Sequence, residues 1–336
     1  MAMKCVCFKI TAWTALVLLF LLTLNLPAPA QAADEIKVGV LSSGSEHWPL
    51  WIALEKGYFN EQGLEIRQLH TNSVAKAVQG LSTNSTDIVY PCNTQGTITA
   101  IVKGAPVKII AGIQTKAIYD LIAGPKYKKV EDLKGTTLGV INLSSGSTVL
   151  LMKILSAHGL KFPGDYDLLT VGGTPARYAA VKKGAVSGAM VTIPTSFRAR
   201  EEGLNLLANI ATYLPDYQFT VVAGHIEWMK AHRDATVRFL MAIIKGLRFL
   251  HDPKNKTEAV DIMIKHHKIS RKYAEMAHKM VVEELKPMRN DALPSTKAID
   301  VLIKVEVERK ALDKQYPASM FVDDSYREEA LKRLGS

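Results

Sequence analysis

From residue 36 onward the chain alternates two kinds of hydrophobic spacing. Residues 36–41, 86–90 and 107–112 are short runs rich in β-branched side chains, and 64–69 alternates in the manner of a strand. Between them, residues 49–60, 74–81 and 94–103 repeat apolar positions at helical intervals. In the first of these helices Leu50, Ala53, Leu54 and Tyr58 share a face, and Gly57 and Gly63 mark its end. A strand–helix rhythm with short connections predicts a mostly parallel sheet covered by helices on both faces.

The rhythm then restarts. Residues 130–135 form a short helix closed by Gly135, and 137–141 a strand. Residues 147–158 form a helix whose apolar side chains are Val149, Leu150, Met152, Ile154 and Leu155, with Gly159 at its end. Strands at 167–171, 187–191 and 204–208 alternate with helices at 175–183 and 195–202. Two apolar segments, 119–123 and 219–223, are expected to cross between the units. Beyond residue 223 the pattern is helical only: 234–252, with Asp234 as its cap, then 257–267, 270–285, 295–312 and 325–334. The expected organisation is an α/β protein of two lobes, with 34–119 opening the first lobe, 120–224 forming the second, and 225–336 returning to the first as docked helices.

The N-terminus differs from all of this. Lys4 and Lys9 are the only charges before Asp34, a mainly apolar run covers 10–26, and Ala30-Gln31-Ala32 supplies a small-x-small cleavage pattern. This reads as a cleaved secretory signal over residues 1–33, which places the mature chain in the periplasm. Its removal leaves 303 of the 336 residues and lowers the formal charge from +10 to +8. That charge is dispersed along the chain rather than gathered into the basic stripe that nucleic-acid binding requires, so no nucleic-acid partner is expected. Cys5 and Cys7 leave with the signal, so the mature chain keeps only Cys92 and has no internal disulfide. The histidines show no metal-ligand spacing, and neither a metal nor a cofactor is expected.

Residues 43–63, with Pro49-Leu50-Trp51-Ile52-Ala53 leading into Glu55-Lys56-Gly57-Tyr58-Phe59, resemble the opening of the nitrate/sulfonate/taurine class of ABC-transporter substrate-binding proteins. Val130-Glu131-Asp132-Leu133-Lys134-Gly135, Thr137-Leu138-Gly139-Val140, Ser145-Gly146-Ser147 and the stretch 176–189 resemble that class's second-lobe signatures. The resemblance spans essentially the whole mature chain. It implies the type II periplasmic-binding-protein fold: a clamp with two crossover strands, ligand in the cleft, and delivery to a membrane permease with its ATPase. Two places depart from the class. Gly188 stands before Ala189 where an aspartate is usual, and the loop Pro91-Cys92-Asn93-Thr94-Gln95 is atypical.

In open parallel sheets ligands bind beyond the carboxyl ends of the strands, where helix N-termini offer free N–H groups. Those ends are rich in small polar residues here. The candidate ligand contacts are Ser43, Gly44, His47 and Trp48 after the first strand, and Asn93 and Gln95 after the third. In the second unit they are Ser145, Gly146, Ser147 and Thr148, then Thr174 and Thr192. Arg177 is a further candidate partner for an anion, and Cys92 a further neighbour of the site. A sulfonate, taurine-like, carboxylate or pyrimidine-precursor ligand suits such donors. No nucleophile–base motif, phosphate loop or dinucleotide fingerprint is present, so a monomeric binding protein is expected and not an enzyme. The alternative is a pyrimidine-forming enzyme of thiamine biosynthesis with this same fold, and that resemblance implies a cysteine-rich motif.

Overall fold

The computed structural model describes residues 33–40, 44–71, 74–143 and 145–335. The signal segment expected over 1–33 therefore lies almost wholly outside the described residues, as does Ser43. Among the described residues no helix is long and apolar enough to cross a membrane.

The first lobe opens with β1 (Asp34–Val40), α1 (Trp48–Glu55), α2 (Tyr58–Glu61), β2 (Leu64–His70), α3 (Val74–Ser82), β3 (Ile88–Asn93), α4 (Thr94–Val102) and β4 (Val107–Gln114). The helix expected over 49–60 is interrupted at Gly57, whose φ of 70° is left-handed backbone that glycine adopts without strain. The second lobe follows with β5 (Tyr119–Ala123), β6 (Thr137–Val140), α5 (Gly146–Ala157), β7 (Asp167–Thr170), α6 (Thr174–Lys182), β8 (Gly188–Thr192), α7 (Thr195–Glu201) and β9 (Asn205–Asn209). The chain then returns through β10 (Thr220–His225) to helices α8 (Ile226–Ala231), α9 (Arg233–His251), α10 (Lys256–His267), α11 (Arg271–His278), α12 (Thr296–Glu308) and α13 (Ser325–Arg333).

Each lobe holds a five-stranded sheet. The orders are β2-β1-β3-β10-β4 and β7-β6-β8-β5-β9. In the first, β1 runs parallel to β2 and β3, while β10 enters antiparallel between β3 and β4. In the second, β6 runs parallel to β7 and β8, and β5 is antiparallel to β8 and β9. The fold is thus the two-lobed α/β arrangement read from the spacing, with one reversed strand per sheet.

The two apolar segments expected to cross between lobes, around 119–123 and 219–223, are instead strands inside the sheets. Both are buried along their whole length because each is sandwiched between two neighbours. The crossings are the short stretches just before them. These are bonded to each other: Tyr217 N–H donates to the Thr115 carbonyl at 3.1 Å, and Phe219 N–H to the Gln114 carbonyl at 2.7 Å. The return to the first lobe therefore falls before Thr220, not at residue 225.

The C-terminal helices pack on the first lobe, as their apolar stripes require. Val237, Leu240, Ile244 and Leu247 of α9 join Leu50, Ile52 and Ala53 of α1 in one core with Ile36 and Val38 of β1. Asp234 does not cap α9. It lies in the first turn, behind His232, and pairs with Arg238 at 2.7 Å and Arg333 at 2.6 Å. Two helices of this set also reach the second lobe: the Tyr273 hydroxyl of α11 donates to Glu201 at 2.6 Å, and Glu308 of α12 pairs with Lys153 at 3.7 Å.

Candidate functional site

The richest polar constellation lies where α5 begins. Ser145 is its N-cap, and its hydroxyl oxygen accepts from Thr148 N–H at 3.4 Å. Thr148 Oγ1 donates to the Asn142 carbonyl at 2.7 Å, which folds the loop before the helix onto its first turn. Gly146, Ser147 and Thr148 bring their main-chain N–H groups to the positive end of the helix dipole.

Arg177 converges on the same turn from α6. Its Nη1 donates to Ser147 Oγ at 2.9 Å and its Nη2 to Thr174 Oγ1 at 3.2 Å, while Nε has no partner. Thr192, at the end of β8, donates to Thr174 Oγ1 at 3.5 Å and completes the row. Arg177 is only 1% exposed, and among the described residues no carboxylate lies within ion-pair distance of it. Burial holds its pKa below the ordinary arginine value, with the neighbouring Tyr119 phenol working the other way. A buried guanidinium without a counter-charge is costly unless something anionic completes it.

The first lobe meets this turn directly. A Cβ built on Gly146 would stand 3.1 Å from Asn93 Nδ2 and 3.2 Å from Gln95 Oε1. Asn93 caps α4, its Oδ1 accepting from Gly96 N–H at 3.0 Å. Gln95 is held from behind: its Nε2 donates to Glu306 Oε2 at 3.1 Å, and Glu306, fully buried in α12, is balanced by Arg309 at 2.9 Å. Burial pushes the Glu306 carboxyl above its usual range, with Arg309 and Gln95 opposing.

The remaining candidates separate into two groups. Gly44 and His47 form the turn after β1, where Gly44 N–H donates to His47 Nδ1 at 3.3 Å. His47 is buried, stacks on Trp51 with ring centroids 5.6 Å apart, and leaves Nε2 without a partner. Trp48, by contrast, is a core residue. It is fully buried, its indole N–H donates to the Ala259 carbonyl at 2.8 Å, and its ring meets the edge of His278. The apolar α1 turns that indole inward against α10, away from any ligand.

Cys92 is likewise interior. The Thr97 hydroxyl donates to the Asn93 carbonyl at 2.8 Å and lies 3.0 Å from Cys92 Sγ, and burial pushes the thiol up to about 11. Gly188 also has a local reason. A Cβ there would stand 2.9 Å from the Ile122 carbonyl oxygen, so β8 has no room for an aspartate. The stretch 91–95 is no loop: it completes β3 and opens α4.

Sequence reading missed Glu46 and Tyr119. Both stand beside the turns just described, and only the pairing of β5 with β8 puts Tyr119 opposite Thr192. Glu46 sits between the predicted contacts Gly44 and His47, in a turn whose spacing carries no signal of its own.

Two α/β lobes meeting at strand ends and a helix N-terminus define the periplasmic-binding-protein fold. The chain belongs to the NMT1/THI5-like family, whose profile matches residues 44–256. No curated protein matches its sequence. Among solved structures it is similar to the periplasmic nitrate-binding protein NrtA from Synechocystis PCC 6803, at 16% identity and a TM-score of 0.76, covering 90% of this chain and 89% of that one. It is also similar to the alkanesulfonate-binding protein SsuA from Xanthomonas axonopodis pv. citri, bound to MOPS, at 15% identity and 0.69, covering 88% and 99%. A Candida albicans gene product described as having the generic periplasmic binding protein fold matches at 18% identity and 0.68, covering 89% and 95%.

Proposed function

We propose that this protein is the extracytoplasmic solute-binding component of an ABC importer, a monomer that captures a small anionic organic molecule and hands it to a permease. The observation that carries this reading is Arg177: a guanidinium inside the protein, aimed with Ser147 at the first turn of α5, and matched by no carboxylate among the described residues. A sulfonate or carboxylate would supply the missing charge and accept from the free N–H groups of that turn. Asn93 and Gln95 reach the same turn from the other lobe, so a ligand seated there would touch both and favour their approach. The fold's likeness to nitrate- and sulfonate-binding proteins supports the same class. The apolar leader over residues 1–33 supports export to the periplasm.

The enzymatic alternative gains nothing from the site. Its cysteine-rich motif is absent from the sequence near Cys92, and that thiol is buried and held protonated rather than activated.

Arg177→Met tests the reading, because it removes the charge while keeping an apolar stem. The empty protein should unfold at the same temperature or higher, since replacing buried charge by apolar volume is often neutral or stabilising by about 1–4 kcal/mol. Binding of sulfonates and carboxylates, followed by titration calorimetry, should weaken at least about a hundredfold, roughly 2.7 kcal/mol. Undiminished binding would remove Arg177 from the site and the anion from the proposal.

A further inference from the structure

The wall of the first lobe that meets Gly146 carries a row of uncharged polar side chains across three adjacent strands. Asn93 ends β3, Thr220 opens β10 and Gln114 ends β4. Thr220 is the cross-strand partner of both, and directly opposed side chains in an antiparallel pair share one face of the sheet. Neighbouring strands lie about 4.8 Å apart, so the row runs roughly 10 Å from Asn93 to Gln114. Beside Gln114 the register slips: Thr220 faces Gln114 but Val221 faces Gly112, which leaves Ile113 with no opposite residue on β10. A bulge of this kind bends its strand and re-aims the side chains next to it.

Gln114 is fully buried, yet among the described residues neither its Oε1 nor its Nε2 has a hydrogen-bond partner. Thr220 is only 5% exposed, and its Oγ1 is likewise unpartnered. The main chain at Gln114 is engaged by contrast, its carbonyl accepting from Phe219 N–H at 2.7 Å and from Gln218 Nε2 at 3.0 Å. Gln218 is itself tied down, donating to the Thr220 carbonyl and accepting from Ser295 N–H. The backbone therefore fixes where Gln114 stands, and its carboxamide adds nothing to that. A buried amide with no partner is costly, and an apolar side chain of the same length would pack there without the penalty.

The row continues the site of the second lobe. Asn93 is the side chain that approaches Gly146, and Gly146 precedes Ser147, which receives Arg177. A ligand whose anionic group lies on Arg177 and Ser147 would extend along Asn93 and Thr220 toward Gln114. A second anion there would find no cation in the row, and an alkyl end would leave Gln114 and Thr220 unpaired. A carboxamide sets an N–H beside a C=O, so it can make two hydrogen bonds with the Gln114 amide at once. Thr220 Oγ1 then remains to donate or accept a third.

We propose that Gln114 is a specificity-determining residue, the head of a second subsite that binds the uncharged carboxamide or ureido end of a ligand anchored at Arg177. This rests on the anion-binding reading of Arg177 and defines the opposite end of that ligand.

The experiment is titration calorimetry at neutral pH with glutaramate and adipamate, each beside the methyl ketone that has CH3 in place of NH2. The unmodified protein should bind the better of the two amides at least about tenfold more tightly than its ketone, because a polar pocket rejects an analogue that leaves its buried groups unpaired. Gln114→Met should abolish that preference while still binding the ketone. It should also unfold at the parent's temperature or higher, since no side-chain hydrogen bond is lost. Equal binding of amide and ketone by the unmodified protein overturns the carboxamide subsite and leaves the anion site standing. So does a preference that survives Gln114→Met. Loss of amide and ketone binding in equal measure would mark Gln114 as a structural prop and overturns the subsite too. A panel in which no carboxylate binds the unmodified protein overturns both readings together.

Discussion

Arg177 donates from Nη1 to the Ser147 hydroxyl oxygen at 2.9 Å, joining two helices whose contact residues are thirty positions apart in sequence. The hydroxyl both anchors the guanidinium and aims it at the first turn of α5. Ser147→Ala should cost the empty protein about 1–3 kcal/mol, since a buried donor loses its acceptor. In an Arg177→Met background the same change should cost far less, which a double-mutant cycle of urea unfolding would reveal. Equal costs in both backgrounds would mean the two side chains act independently.

Gly146 is one of the points where the lobes touch. An added methyl group would press on Asn93 Nδ2 at 3.1 Å and Gln95 Oε1 at 3.2 Å, and Gln95 has little freedom to yield because Glu306 holds its other end. Gly146→Ala should leave the unfolding midpoint nearly unchanged, as alanine suits a first helical turn. The ligand-bound protein should show a longer distance between spin labels on the two lobes, together with weaker binding. An unaltered distance would show that the lobes close elsewhere.

Glu202 predicts a pH dependence. Bonds to Lys182, Tyr178 and Arg198 lower its carboxyl from 4.5 to about 2. A depressed folded-state value means its contribution is present above the unfolded pKa and disappears as pH falls toward about 2. Glu202→Gln should therefore be less stable than the parent at neutral pH, and the gap should narrow steadily below about pH 5. A gap that stays constant across that window would assign the loss to packing instead.

Gly246 sets the approach of α9 to α1, for a Cβ there would collide with the Pro49 main-chain carbonyl. Neither backbone can move without disturbing the core that Leu50 and Leu247 share. Gly246→Ala should destabilise by about 1–3 kcal/mol in chemical denaturation, with ligand affinity unchanged at the remote Arg177 site.

The elements were legible because burial in this fold follows spacing. The strand at 64–69 and the helix at 94–103, for example, appear within a residue of where the pattern puts them. Pairing was not legible. The segments at 119–123 and 219–223 are apolar throughout, which says that both faces are covered but not by which neighbour. Trp48 illustrates the same limit, since an aromatic ring after a strand can serve a cleft or a core, and Ala259, 211 residues away, decides it. For Arg177 the sequence offers a candidate anion partner in a first helical turn, and only tertiary packing against Ser147 and Tyr119 makes it a buried charge.

The position of β10 has a consequence for the order in which the molecule can be built. β3 and β4 are close in sequence, yet they are not neighbours; the gap between them is filled by Thr220–His225. A chain emerging from the ribosome reaches that segment only after the whole of the second sheet has been made. Until then the first sheet has two bare edges and cannot be finished, whereas the second already holds all five of its strands. The second lobe is thus the natural first folder, the reverse of the usual N-terminal-first sequence. A truncation ending just before Thr220 would yield one formed lobe carrying an unzipped one.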